Sequence, residues 1–425
     1  MAKTSYTCVE CGYRTPKPLG RCPACGAWES FQEVAPSPRA PSRQAHLEAP
    51  SPISLSQVNE AEEKRFSSGL SEVDRVLGGG FVPGEVVLLG GEPGVGKSTL
   101  LLELAKHLTR KVYYLAGEES PAQIKLRARR LGVKELLLLK ETRLEPLLSL
   151  LERDPPEVLF VDSIQTIEAG GSPGSLVAVR EATHAFVRLA KEEGITTLLV
   201  GHVTKEGVVA GPKSIEHAVD ATLYLESAGV YRVLRSAKNR FGPVGELGVF
   251  RMEEEGLVEV QNPSEAFLLE RPLGVPGSAI ALALAGERAL ALEVQALAAK
   301  TPFPAPRRVV QGLDARRVDM VLAVLERRLG LPLGNLDIYV NLAGGLKVQD
   351  PGLDLAVALA VYSAVVGKAL PPDLAVVGEV GLLGEVRSVM GLERRLREGE
   401  RAGFFRILHP GNTKALKEAV EQYLG

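Results

Sequence analysis

Aromatic residues are scarce in this chain: 5% of 425, with a single Trp. Its cores must therefore be aliphatic, and apolar residues at 45% suffice for sizeable ones. Cysteine is absent beyond Cys25, and all four lie within Cys8–Cys25. That excludes a disulfide framework for the body of the chain and confines thiol chemistry to one short module. No run approaches the ~18 apolar residues of a membrane span. The Met1-Ala2-Lys3-Thr4 start lacks an apolar signal core. These absences predict a cytoplasmic protein with no membrane partner. Neither sign of charge is in excess, the formal net charge being −2. Binding to a polyanion must then rely on local patches.

What is present falls into blocks. Residues 1–33 carry the cysteines and Trp28. Residues 34–58 form a linker, with five prolines between 35 and 52. From 59 to 262, apolar runs such as "EVVLLG" (85–90), "KVYYLAG" (111–117), "EVLFVDS" (157–163) and "ITTLLVGH" (195–202) alternate with amphipathic stretches. That alternation predicts βαβ units on a mostly parallel sheet. Segments 219–226, 230–237 and 246–251 read as an antiparallel extension. After a boundary near 261–267, residues 263–425 read as a second α/β domain with a long apolar helix near 352–366.

"GEPGVGKST" follows one apolar run and precedes a helical one. This is the context of a phosphate-binding loop. Gly91, Glu92, Pro93, Gly94, Val95 and Gly96 would wrap an anion with backbone N–H groups at a helix N-terminus. Lys97 would reach the β and γ phosphates of ATP, Ser98 would hold Mg²⁺, and Thr99 begins the helix contacts. Asp162 ends the run "EVLFVD", where a carboxylate can orient the Mg²⁺ water shell, and Ser163 stands ready to assist. Glu118 and Glu119 end "YLAGEES"; one of them would orient the attacking water, and the alternative is a cluster capping the helix after Pro121. His202 and Thr204 end the fourth run, as a γ-phosphate sensor or as structural polar groups.

Cys8, Cys11, Cys22 and Cys25 form two C-x₂-C pairs, each followed by Gly. Four thiolates suit tetrahedral Zn²⁺, with two disulfides or an iron site as the alternatives. So short a module needs its metal to fold. Arg14, Lys17 and Arg21 could touch phosphates, while Trp28 and Phe31 offer apolar surface for a protein.

The order "GEPGVGKST", "GEES", "VDSIQT", "GHVTKEG" and "KNRFG" (238–242) resembles the bacterial RadA (Sms) family, RecA-type ATPases related to DnaB replicative helicases. The resemblance implies a RecA-like P-loop ATPase core, a small four-Cys zinc module and a Lon protease-like α/β domain. It implies a homo-oligomeric ring, hexameric in relatives of this type, with Lys238 and Arg240 reaching a neighbour's γ-phosphate; on the residues alone, a solvated hairpin is the other reading. It also implies a DNA-dependent ATPase of the helicase or branch-migration type, working on single-stranded and branched DNA beside a recombinase. An ATP-gated DNA- or protein-binding switch without translocation is the alternative. In such rings the loops at 168–181 and 204–217 face the channel, which makes Arg180, Lys205 and Lys213 the DNA-binding cations.

Within 263–425, "VQDPGLDLAVALA" (348–360) resembles the Lon segment that carries the nucleophilic Ser. Gly352, Leu353 and Asp354 stand there instead, and no Ser lies between 337 and 362. "GEVGLLGEVRSVMGLERRL" (378–396) resembles the segment bearing the catalytic Lys, which falls on Glu393. Ser–Lys chemistry needs both groups, so the expectation is a non-proteolytic scaffold. Its Arg pairs at 307–308, 316–317 and 327–328 are candidate DNA contacts or solvated helix faces.

Overall fold

The structure is a computed structural model, and it describes residues 5–8, 13–23, 26–34, 54, 64–201 and 214–425. Cys11, Cys25, His202, Thr204, Lys205, Lys213 and almost all of the Pro-rich linker lie outside the described residues. The chain divides into two compact units. One comprises Met1–Glu226, Leu234–Gly242 and Glu253–Leu257; the other comprises Ser227–Val233, Pro243–Met252 and Val258–Gly425.

In the first unit the four apolar runs become strands Val86–Gly90, Val112–Ala116, Val158–Asp162 and Thr196–Val200. Every residue in them is buried. Strands covered on both faces need continuous apolar sequence, which is why they read as runs and not as alternations. All neighbouring pairs here are parallel, in the order 221–228, 86–90, 196–200, 158–162, 112–116 and 137–139. Strand Ala221–Ala228 joins the parallel sheet beside Val86–Gly90, and strands Tyr231–Asn239, Leu247–Glu253 and Gly256–Glu259 follow it outward in chain order, where the sequence predicts an extension. Helix Leu176–Glu193 and the short helix Ser214–Ala218 flank strand Thr196–Val200 in the chain, so the strand after them can re-enter beside Val86–Gly90 in the same direction. Helix Pro121–Leu131 begins with a capping box between Ser120 and Gln123 and a proline in its first turn, so its start is specified locally.

The N-terminal module is a three-stranded antiparallel sheet of Ser5–Cys8, Arg14–Thr15 and Phe31–Val34, with Ser5–Cys8 in the middle.

The second unit carries a six-stranded mixed sheet in the order 308–311, 336–342, 288–300, 278–285, 374–376 and 406–408. Its centre is the hairpin Ser278–Ala285 and Arg288–Lys300. Helix Asp354–Val366 is apolar on all sides, as the sequence predicts, and nine of its 13 residues are buried. It lies between that hairpin and helix Ala315–Leu329 in one aliphatic core. Among the described residues no helix is long and apolar enough to cross a membrane.

Candidate nucleotide site and its companion groups

The loop after Val86–Gly90 turns on glycines that no other residue could replace. Gly91 has φ 154°, and a Cβ there would stand 2.6 Å from the Leu225 carbonyl. Gly96, at φ 114°, is the N-cap of helix Lys97–His107. The loop therefore leads directly into a helix N-terminus, the end of a helix that favours an anion. Lys97 is 6% exposed, and its Nζ donates to the carbonyls of Gly91 (2.8 Å) and Glu92 (3.0 Å). Burial lowers its pKa, while Asp162 and Glu118 act in the opposite direction.

Asp162 ends its strand opposite Ala116 and is 7% exposed. The Tyr114 hydroxyl donates to its Oδ2 at 2.5 Å, and Ser98 donates to it as well. Burial raises the pKa of Asp162, opposed by these two donors. Burial also lifts the Tyr114 phenol well above its ordinary value, which keeps it a donor. Ser98 and Asp162, a hydroxyl and a carboxylate already in contact, are the oxygen ligands that a hard cation such as Mg²⁺ takes. Tyr114 is a supporting residue that the sequence reading missed; its signal was an aromatic hydroxyl within an apolar strand beside that of Asp162.

The structure separates the two glutamates by their partners. Both raise the pKa of Asp162, but Glu118 alone accepts a hydrogen bond from the Ser163 hydroxyl and acts on Lys97. Glu119 pairs with Arg127 of the next helix at 2.6 Å. Lys97, Ser98, Asp162, Ser163 and Glu118 are thus brought together at the C-terminal ends of the parallel strands, where ligands bind in open α/β sheets. Arg180, expected on a loop, lies exposed in the early turns of helix Leu176–Glu193.

Each residue of "KNRFG" has a defined contact within its own subunit. Lys238 Nζ donates to the carbonyls of Glu216 (2.7 Å), His217 (3.1 Å) and Val219 (2.6 Å) at the end of helix Ser214–Ala218. A cation at that position meets the negative end of the helix. Asn239 spans a turn, donating to the Leu77 carbonyl (3.1 Å) and accepting from Phe241 N (2.9 Å). Arg240 pairs with Asp220 at 3.3 Å, and Lys191 sits 5.5 Å from the Phe241 ring centre. A Cβ on Gly242 would stand 2.8 Å from the Leu77 carbonyl, so only glycine fits. Lys238 is therefore enclosed by carbonyls, whereas the Arg240 side chain is 53% exposed.

In the N-terminal module Cys8 and Cys22 are 0% and 1% exposed. The two half-modules repeat one turn: Cys8 N donates to Tyr13 O (2.9 Å) and Cys22 N to Ala27 O (2.8 Å), each spanning five residues. This equivalence fits a metal held by two matched knuckles. The Arg21 guanidinium lies 5.7 Å from the Trp28 ring, which is 72% exposed.

The Lon-type segments of the second unit meet through ion pairs. Leu353 is 2% exposed and Glu393 is on the surface. Arg395 is 1% exposed, and both its terminal nitrogens pair with Asp350; it also donates to the carbonyls of Leu282 (2.7 Å) and Met390 (3.0 Å). Asp354 is held by Arg317 through two 2.7 Å bonds and by Val380 N at 3.0 Å. Arg317 also reaches Glu379 at 2.9 Å. Burial raises the Asp354 pKa, which the Arg317 bonds oppose. Leu353, Arg317 and Asp354 border a cavity of about 210 Å³.

Comparison with known proteins agrees with this architecture. Residues 50–208 match the family described as AAA domain, residues 6–33 the rubredoxin metal binding domain, and residues 313–413 the subunit ChlI of Mg-chelatase. "DNA repair protein RadA" of Streptococcus pyogenes serotype M6 is 45% identical over 97% of this chain and 93% of its own length. The protein of the same name from Bacillus subtilis (strain 168) is 44% identical over 96% and 93%. That from Halalkalibacterium halodurans is 43% identical over 96% and 92%. Among solved structures, the RadB recombinase is similar at 23% identity with a TM-score of 0.39, over 46% of this chain and 99% of that one. The expected fold class holds: a RecA-like P-loop ATPase core, an N-terminal zinc ribbon and a Lon protease-like α/β domain. With 43–45% identity maintained from the cysteine module to the C-terminal domain, the chain belongs to the RadA family of bacterial DNA repair proteins.

Proposed function

We propose that this chain is a DNA-dependent ATPase that works as a hexameric ring on single-stranded and branched DNA, promoting branch migration during recombination beside a recombinase. One observation carries the reading: Lys97, Ser98, Asp162 and Glu118 converge at the strand ends, while Arg240 is left half-exposed on its own subunit.

ATP is the substrate. The phosphate oxygens replace the Gly91 and Glu92 carbonyls as acceptors for Lys97. Ser98 and Asp162 would hold Mg²⁺, which supplies neutralisation of phosphate charge. Glu118 orients the attacking water, and Ser163 fixes its carboxylate. Glu119 belongs to the Arg127 ion pair and takes no part. Arg240 meets the charge that develops on a neighbour's γ-phosphate, a task suited to a permanently cationic, planar group. Lys238 holds the strand that presents it. Cys8, Cys11, Cys22 and Cys25 would hold Zn²⁺. Arg180, Lys205 and Lys213 track a DNA backbone. The chain is divided as 1–33, 34–58, 59–262 and 263–425, and the last part is a scaffold without peptidase activity, since Leu353 and Glu393 can supply neither alkoxide nor amine.

The test is ATP turnover with and without single-stranded DNA across a salt series. Turnover rises with DNA, and the rise disappears as salt increases. If DNA leaves turnover unchanged at low salt, the motor reading fails and the ATP-gated switch replaces it. Mixing Lys97→Ala with Arg240→Ala subunits tests action between subunits. Mixed rings regain activity, because some interfaces combine an intact P-loop with an intact arginine; no recovery at any ratio refutes it.

A further inference from the structure

Asp220 immediately precedes strand Ala221–Ala228 and is 3% exposed. Its main chain ties two functional strands together. The Asp220 N–H donates to the Val86 carbonyl (2.9 Å), at the root of the P-loop strand, and the Asp220 carbonyl accepts from Arg240 N (3.0 Å). Its carboxylate is shared unequally. Oδ2 accepts from Val86 N (3.0 Å) and from Lys191 Nζ (2.8 Å), while Oδ1 takes the Arg240 guanidinium at 3.3 Å. The second contact of that guanidinium is the His217 carbonyl, at 3.2 Å. The backbone of Arg240 is therefore pinned, and its charged tip is held by long bonds at a half-exposed position.

This inequality has a consequence for release. A buried carboxylate deprived of its counter-ion is strongly destabilising. Asp220 escapes that penalty when Arg240 leaves, because Val86 N–H and the Lys191 ammonium stay in place. The cost of release is then that of a half-exposed ion pair, which is small.

We propose that Asp220 is a positioning residue that parks Arg240 in the unassembled subunit and yields it to the phosphate charge of a neighbouring subunit, with Lys191 remaining as the counter-ion. This inference rests on the reading of Arg240 given above. It makes Arg240 a group with two stations, one on each side of a subunit interface.

The experiment follows nucleotide-dependent assembly by light scattering, with a non-hydrolysable ATP analogue, against protein concentration. Turnover at saturating protein is measured alongside, and a thermal melt checks each variant. Asp220→Asn keeps a hydrogen-bonding group but removes the competing charge. Half-assembly moves to a roughly two- to fivefold lower concentration, the range of one half-exposed ion pair. Lys191→Gln leaves Arg240 as the one cationic side chain bonded to the Asp220 carboxylate among the described residues, so half-assembly moves to higher concentration. In an Arg240→Ala background both shifts vanish. Equal shifts in that background, or no shift from either variant, overturn the proposal. Should Asp220→Asn fail to fold, Lys191→Gln carries the test by itself. Full turnover in Arg240→Ala alone would instead remove the arginine's catalytic reading and the parking with it. Lost turnover in Arg240→Ala, with unmoved assembly in the other two variants, removes the parking only.

Discussion

Replacing Glu118 and Glu119 one at a time by Gln separates two adjacent carboxylates that the sequence leaves equivalent. Glu118→Gln keeps the size of the side chain and an oxygen to accept from Ser163, but removes the charge that orients water beside Lys97 and Asp162. A positioned base contributes about 10²–10⁴ in rate, or roughly 3–5 kcal/mol of barrier. Turnover of Glu118→Gln should fall by that factor. Nucleotide binding should hold or tighten, since one negative charge near the phosphates is gone. Glu119→Gln instead breaks a 2.6 Å pair with Arg127 whose partners are 28% and 33% exposed. Such a pair is worth about 0.2–1 kcal/mol of stability, and turnover should stay within a few-fold of the parent. The assay is steady-state ATP hydrolysis beside titration with a fluorescent nucleotide. A hundredfold loss in Glu119→Gln with near-normal Glu118→Gln would refute the assignment.

Two further perturbations test the supports of the fold. Glu85 is buried, and desolvation raises its pKa from 4.5 to about 7, with the Val82 N–H opposing and Asp220 adding to the rise. A raised native pKa means that its contribution to stability is full below about pH 4.5 and is lost as pH climbs to about 7. Glu85→Gln should flatten that slope and stabilise the protein at pH 8 by about 1–3 kcal/mol, at roughly 1.4 kcal/mol per pKa unit; urea midpoints at pH 5 and pH 8 decide, and parallel slopes for both proteins would contradict the argument. Arg395→Met leaves Asp350 buried without its cation, and should cost about 3–5 kcal/mol, read as a lowered thermal midpoint of the second unit; an unchanged midpoint would mean that the pair is replaceable.

Much of this molecule was legible in its sequence because its chemistry is local. "GEPGVGKST" states the phosphate loop within nine residues, and its strand and helix neighbours are equally local. The four parallel strands read clearly because two-sided burial demands unbroken apolar runs. The parallel junction of Ala221–Ala228 with Val86–Gly90 was not legible, since close spacing shows only which strands follow one another and not which strand the first of them meets in space. Glu118 and Glu119 were indistinguishable because their difference comes from which partner each side chain meets, Ser163 on another strand for one and Arg127 on the next helix for the other. Asp220 gave no signal at all: one carboxylate ahead of an apolar strand looks ordinary until Val86, Lys191 and Arg240 are seen around it. Lys238 and Arg240 looked alike as cations two residues apart, and only the carbonyls enclosing Lys238 tell them apart.

The Asp350–Arg395 pair bears on what chemistry the second unit could be given. It bridges the two segments that, in a peptidase of this kind, would bear nucleophile and amine. Leu353→Ser with Glu393→Lys would therefore place both groups on a floor already bolted by an ionic lock, and neither substitution would dismantle it. Opening the lock from one side alone exposes a naked charge to the interior. Each half of the lock therefore guards the other against substitution, and new side chains at 353 and 393 can be tried on a base that stays folded.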